Sequence, residues 1–164
     1  MKYILVLHLY SKSKPPAWLW RIKSDLSYKW HGTNLLWNSK IDYHTKTQTL
    51  GSDTPITITI STPERAMLEI LMNVPKTFSF DHANEIMQGM TSLSPKKLQS
   101  LLEECKNIKV KRLFLWLAEN QGYAWSKNID TGSLDLGSGK RVIAKDGKLD
   151  NKYLITVPKH LYGK

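Results

Sequence analysis

The chain has 164 residues, 41% of them hydrophobic and six of them tryptophan, which suffices to bury about two-thirds of the unfolded surface around one core and excludes a disordered polymer. Its 24 Lys and Arg against 14 Asp and Glu give a net charge of +10, a balance that favours a polyanionic partner, nucleic acid first and anionic membrane second. Cys105 is the only cysteine, so an intrachain disulfide is excluded, and no window approaches the roughly 18 apolar residues of a membrane span. A cytoplasmic protein with no membrane partner is therefore expected.

The charge is not uniform along the chain. Local balances are +5 over residues 1–60, −2 over 61–105 and +7 over 106–164, so an acidic middle separates two basic ends.

In chain order, the apolar run Lys2–Tyr10 predicts a buried strand. "PPAWLWRIK" then places prolines at the first turn of a short helix carrying Trp18 and Trp20. Ser27–His31 reads as a second strand, with Tyr28 and Trp30 on one side. "TNLLWNSKIDYHTKTQTLGSDTP" is polar and turn-like, and "ITITIS" alternates as a half-exposed strand must.

At Ser61 the periodicity becomes helical. "STPE" has the form of a capping box, in which Ser61 accepts from the Glu64 amide and Glu64 reaches back, and Ala66, Met67, Ile70 and Leu71 supply the apolar stripe before Pro75. A second helix over Asp81–Met90 turns Ala83, Ile86, Met87 and Met90 inward. A third begins with Ser94 as cap and Pro95 in first position, with Leu98, Leu101 and Leu102 as its stripe. The fourth, Ile108–Asn120, carries Val110, Leu113, Phe114, Leu117 and Ala118 at helical spacing, with Gly122 just beyond. Two β-prone runs follow, Arg141–Ala144 and Tyr153–Val157, joined by a turn at Asp146-Gly147. The order predicts a single α+β domain over 1–164. Its parts are strand-rich at 1–60 (mixed or antiparallel strands with a short helix), a four-helix layer at about 62–121 within 61–122, and a hairpin at about 140–158 within 123–164.

Few motifs carry chemistry. "DLGSGKRV" invites a phosphate-loop reading, but position 134 is Leu where the first Walker glycine belongs, Arg141 stands where Ser or Thr is required, and the flank is β-prone. A dinucleotide fingerprint fails as well, because Val142 occupies the third glycine position. A glycine turn feeding a strand is the better account, with a generic anion contact from amides, Lys140 and Arg141 as the alternative.

His8, His31, His44, His82 and His160 lie at unrelated spacings, and His82 with Glu85 is better read as a solvated helix start than as a metal pair. Cys105 beside Glu104 sits in an acidic setting that raises its pKa, and Glu103 and Glu104 are expected to answer Lys106 and Lys109 in solvent. No catalytic residue, metal site or cofactor is expected. The basic features remain: Lys106, Lys109, Lys111 and Arg112 at a helix start, unfavourable for its dipole, and Lys140, Arg141, Lys145, Lys148 and Lys152 on the hairpin. For the helix-start cations, a solvated face and a phosphate contact are both open. A basic β-ribbon fits a phosphate backbone, DNA or RNA.

Several strings taken together, "STPERAMLEIL", "FDHANEIMQGMTSLSPKKLQSLLEEC", "KVKRLFLWLAENQGYAW" and "DLGSGKRVIAKDGKLDNKYLITVP", resemble in order and spacing the C-terminal domain of AbiEi-type antitoxins of type IV toxin–antitoxin, abortive-infection systems. "LHLYSKSKPPAWL" and "HGTNLL" are similar to the strand–helix–strand start of that domain. The resemblance implies an antitoxin and regulator of phage defence that counters a nucleotidyltransferase toxin, generally without a stable complex.

The family's usual winged helix-turn-helix domain would precede this region, and Met1 lies near the first strand. Autoregulation through a winged helix is therefore not carried over, unless the chain is a fragment or works with a separate winged-helix DNA-binding partner. The resemblance implies basic surfaces at Lys109, Lys111, Arg112, Lys140 and Arg141, and no catalytic motif. The alternative function is a phosphotransferase-like, ATP-dependent enzyme that inactivates the toxin covalently, with "DLGSGKR" as its nucleotide contact, although kinase Asp and Asn motifs are missing.

Overall fold

In the computed structural model of the chain, residues 5–37, 45–50 and 56–163 are described. Strand β1 (Leu5–Ser11) pairs in parallel with β2 (Leu26–Gly32), in register from Leu5 against Leu26 to Ser11 against Gly32. The crossover holds a 3-10 helix, Ala17–Arg21, entered from Pro15-Pro16 and anchored by the buried Leu19.

The first strand is not buried as its composition suggests: Val6 and Leu7 are 36% and 43% exposed. Successive side chains leave a strand on opposite faces, and a two-stranded sheet needs cover on both to hide them. Lys2, Tyr3 and Ile4 of the expected strand lie outside the described residues.

The region read as turn-like contains a further strand. Strand β3 (Thr45–Leu50) runs antiparallel to β4 (Ile56–Ser61), pairing Thr47 with Thr59 and Gln48 with Ile58. Its period-two signal is carried by threonine, which favours a pleated surface without contributing hydrophobic contrast. The rest of that region, 38–44 and 51–55, lies outside the described residues, and with it His44.

Four helices follow: α1 (Pro63–Met72), α2 (Phe80–Gly89), α3 (Pro95–Glu104) and α4 (Ile108–Gln121). Ser79, Ser94 and Asn107 cap the last three, each side-chain oxygen accepting an amide three residues on. The capping box expected at α1 does not form. Thr62 is the N-cap and makes no side-chain cap bond, Ser61 Oγ donates to Glu69 Oε2 at 2.8 Å, and Glu64 Oε1 accepts the Ser94 amide at 3.0 Å. Longer-range partners draw both side chains away from the local arrangement. Glu69 also receives Arg65 Nε at 2.8 Å, and Arg65 lies 5.1 Å from the Trp37 ring centroid, which ties α1 to the segment after β2.

Helix α4 is the axis of the core. Every residue from Val110 to Ala118 is buried, the pattern of a helix covered on all sides. α1, α2 and the last strand all touch it. Met67, Leu68 and Leu71 from α1, Met87 from α2, and Leu98, Leu101 and Leu102 from α3 complete the buried cluster.

The C-terminal hairpin is present, one segment away from the expected pairing. Strand β5 (Lys148–Asp150) is the antiparallel partner of β6 (Ile155–Val157). Arg141–Ala144 instead runs parallel beside β6, through Arg141 N to Leu154 O at 2.8 Å and Ala144 N to Thr156 O at 3.0 Å. The Asp146-Gly147 turn therefore leads into β5. A Cβ placed on Gly147 would stand 2.4 Å from Val157 O and 2.8 Å from Ala144 Cβ, and backbone cannot yield as a flexible side chain can. Gly147→Ala is expected to cost about 2 kcal/mol or more in urea unfolding.

The β1–β2 unit meets the helices through a ring cluster. His8 Nδ1 and His31 Nε2 are 2.9 Å apart, Phe78 lies 4.8 Å from His8 and Tyr10 4.8 Å from His31, centroid to centroid. One imidazole must donate and the other accept, so at least one is neutral. Burial, then Lys29, lowers the His8 pKa from its ordinary 6.5. Burial, then His8 and Lys29, lowers that of His31. The unfolded chain thus binds these protons more tightly, and stability present above about pH 6.5 is lost as pH falls through the depressed values. Thermal melts between pH 7.5 and 5 should show that decline, and the His8→Gln, His31→Gln double variant should flatten it.

Candidate functional site

The loop "DLGSG", Asp135–Gly139, connects a 3-10 turn at Thr131–Ser133 to the segment beside β6. Asp135 Oδ1 accepts the Gly137 amide at 2.8 Å, closing a local turn. Gly137 and Gly139 have φ of 63° and 75°, left-handed values that glycine adopts without cost.

The loop's carbonyls converge on one side chain. Arg112 Nε donates to Leu136 O at 2.7 Å. Its Nη1 donates to Gly139 O at 2.7 Å and to Leu154 O at 3.3 Å, and its Nη2 to Gly137 O at 2.9 Å. The residue is 2% exposed. A phosphate cradle presents amide hydrogens to an anion; this loop presents oxygens to a cation. The polarity is the reverse of the one its composition suggests.

Lys109 has a comparable position. Its Nζ donates to Met72 O at 2.8 Å and to Val74 O at 2.7 Å, so a cation poorly placed for its own helix dipole answers the C-terminal end of α1. Burial, then Lys76, lowers its pKa. Lys111 is 2% exposed. Three of the sequence-predicted interface cations therefore lie within the fold rather than on a solvated face. Lys109 does not answer Glu103 or Glu104 in solvent as expected, because two carbonyls hold it. The Cys105 thiol is raised as expected, but by burial, and Lys111 acts in the opposite direction.

The hairpin cations differ. Lys140, Arg141, Lys145, Lys148 and Lys152 are all exposed. Lys148 Nζ lies 3.9 Å from the Tyr162 ring centroid, and Lys152 Nζ is 2.6 Å from Glu119 Oε1. Lys140, Arg141 and Lys145 pair with no carboxylate among the described residues. Burial raises the Glu119 carboxyl, but bonds from Lys152 and from the Tyr153 hydroxyl at 2.8 Å outweigh it and hold the pKa below the ordinary value. That pair lines a cleft of about 290 Å³ with Ser126 and Thr131.

Elsewhere His82 and Glu85 approach to 3.8 Å at an exposed helix start. Among the described residues no three His, Cys, Asp or Glu side chains converge as a metal site would require. No helix among them is long and apolar enough to cross a membrane.

Residues 4–158 match the family model described as transcriptional regulator, AbiEi antitoxin, type IV toxin–antitoxin system. The chain belongs to the AbiEi antitoxin family. The match extends over nearly the whole length, all three strand pairs and all four α-helices included. No curated protein and no solved structure matches the chain. For this AbiEi-family chain, membership indicates an antitoxin or regulator of a type IV system.

The sequence lacked a signal for the carbonyl clamp, since backbone oxygens have no residue identity. The only trace was a pair of glycines and one arginine 24 residues upstream of Leu136. Arg112→Ala should leave the carbonyl oxygens of Leu136, Gly137 and Gly139 without their donor, Leu154 O keeping the Arg141 amide, and lower stability by about 3–5 kcal/mol in denaturant titration. Arg112→Lys should recover only part of it, because an ammonium cannot reproduce the planar fork.

Proposed function

We propose that this chain is an antitoxin that counters a nucleotidyltransferase toxin and offers the exposed C-terminal cations to a nucleic-acid backbone. The observation that carries the reading is the division of its basic residues. The clamp on Arg112 uses the loop's carbonyls inside, and the chain then continues outward as Lys140 and Arg141. With Lys145, Lys148 and Lys152 they form a basic edge on the hairpin and its approach.

Contacts of this kind position a polynucleotide without reading its sequence. Lys109, Lys111 and Arg112 are not assigned to this surface, being committed to the interior. Competition for an RNA or nucleotide that the toxin modifies is the mode of neutralisation we favour, and it needs no stable toxin complex. The alternative, a phosphotransferase using "DLGSGKR" for its nucleotide, loses its main support, because carbonyls aimed inward and an amide already bonded to Asp135 are no phosphate cradle.

Mobility shifts with tRNA and duplex DNA at two salt concentrations test the surface. Lys140→Glu, Arg141→Glu, Lys145→Glu should weaken binding about equally across sequences. It should also reduce the salt slope by roughly 0.7–0.9 for each phosphate that is no longer neutralised, without lowering the melting temperature. Absence of a shift even at low salt would overturn the nucleic-acid part. Co-expression with a nucleotidyltransferase toxin tests the antitoxin part separately.

A further inference from the structure

Six tryptophans divide into two groups. Trp37, Trp116 and Trp125 are buried and Trp30 is half-buried, and Trp30, Trp37 and Trp125 each donate the indole N–H to a backbone carbonyl. Trp18 and Trp20 stand out of the fold, 61% and 55% exposed. Exposing two large aromatic rings on one five-residue helix is unfavourable in water unless they have a use.

The segment that carries them is held from several directions. Pro15 and Pro16 restrict the approach, the Leu19 amide donates to Pro16 O at 3.0 Å, and Leu19 itself is buried. The Trp30 indole donates to Ser13 O at 3.1 Å, and Asn34 Nδ2 to Lys12 O at 3.4 Å. A 3-10 helix turns about 120° per residue. With Leu19 facing inward, Trp18 and Trp20 must splay to either side of it, outward, and Arg21 follows Trp18 by one full turn. Residues 12–29 hold five cations, Lys12, Lys14, Arg21, Lys23 and Lys29, against the single acid Asp25. All of these cations are exposed.

We propose that Trp18 and Trp20 form a stacking platform for unpaired nucleotides, with Lys14, Arg21, Lys23 and Lys29 receiving the phosphates on either side. Single-stranded polynucleotide is the occupant that uses both features, because bases offer flat faces to indoles while the backbone meets the cations. A protein partner fits less well, since lysine is depleted at the centre of protein interfaces. An anionic bilayer would call for a longer amphipathic helix than five residues. The platform lies on the strand-rich N-terminal part and does not depend on the hairpin cations, so either surface can fail without the other.

The test uses the full chain and a fluorescein-labelled 15-mer of oligo(U), with the corresponding RNA duplex as control. The wild type should bind the single strand with quenching of tryptophan emission. Trp18→Ala and Trp20→Ala should each weaken that binding about tenfold or more, while duplex binding changes little. Trp18→Phe, Trp20→Phe, which keeps flat rings, should recover most of the affinity. Far-UV circular dichroism checks that the variants fold, as is expected for exposed positions, and the phenylalanine variant supplies the comparison if either alanine variant does not.

Any of five results would overturn the proposal. The wild type binds no single strand at low salt. The alanine variants bind it normally. Single-strand and duplex binding fall together. Or the tryptophans respond only to anionic phosphatidylglycerol vesicles, or only to protein concentration with a rise in mass.

Discussion

A buried guanidinium that bonds main-chain carbonyls, and no carboxylate among the described residues, holds the C-terminal third of this molecule to its central helix. Arg112 projects from α4 and binds the carbonyls of Leu136, Gly137, Gly139 and Leu154. Two come from the loop glycines themselves, one from the residue before Gly137 and one from the turn before β6. These charge-assisted bonds compensate the desolvation of the cation, which would otherwise be prohibitive in an apolar core. They also fix the loop's backbone direction, and with it the place where the chain leaves the interior. The parallel bridge between Arg141 and Ile155 and the β5–β6 hairpin are built outward from that point.

The same economy recurs at Lys109, whose ammonium sits between the start of α4 and the carbonyls at the end of α1. Part of the positive charge in this chain is thus internal mortar, neutralised by backbone dipoles. Among the described residues, two groups of exposed cations stand out, on the hairpin and on the crossover between β1 and β2. Net charge alone cannot separate the internal from the exposed population, although only the exposed one can attract a polyanion from solution.

Legibility in the sequence followed the same division. The four helices were legible because their apolar stripes and the Ser94 cap are local signals, and the order of strands, helices and hairpin gave the α+β class. β3 was missed because threonine alternation is quiet in hydrophobicity, and the hairpin was assigned to the wrong first arm because Lys148–Asp150 has little β propensity beside the β-prone run at 141–144. At Ser61 a good local motif lost to partners eight and thirty residues further along, Glu69 for Ser61 and Ser94 for Glu64. The exposed hairpin cations were identifiable by residue type. That Arg112 and Lys109 turn inward was not, since their partners are main-chain oxygens that every residue possesses.

The clamp also bears on how such a sequence is free to drift. Oxygens of the main chain survive almost any change of side chain, so the exposed Ser138 has latitude that Arg112 lacks, provided the two glycines keep the turn. A charged position that tolerates no replacement would ordinarily be taken for a point of contact with another molecule. In this architecture such intolerance marks a keystone instead.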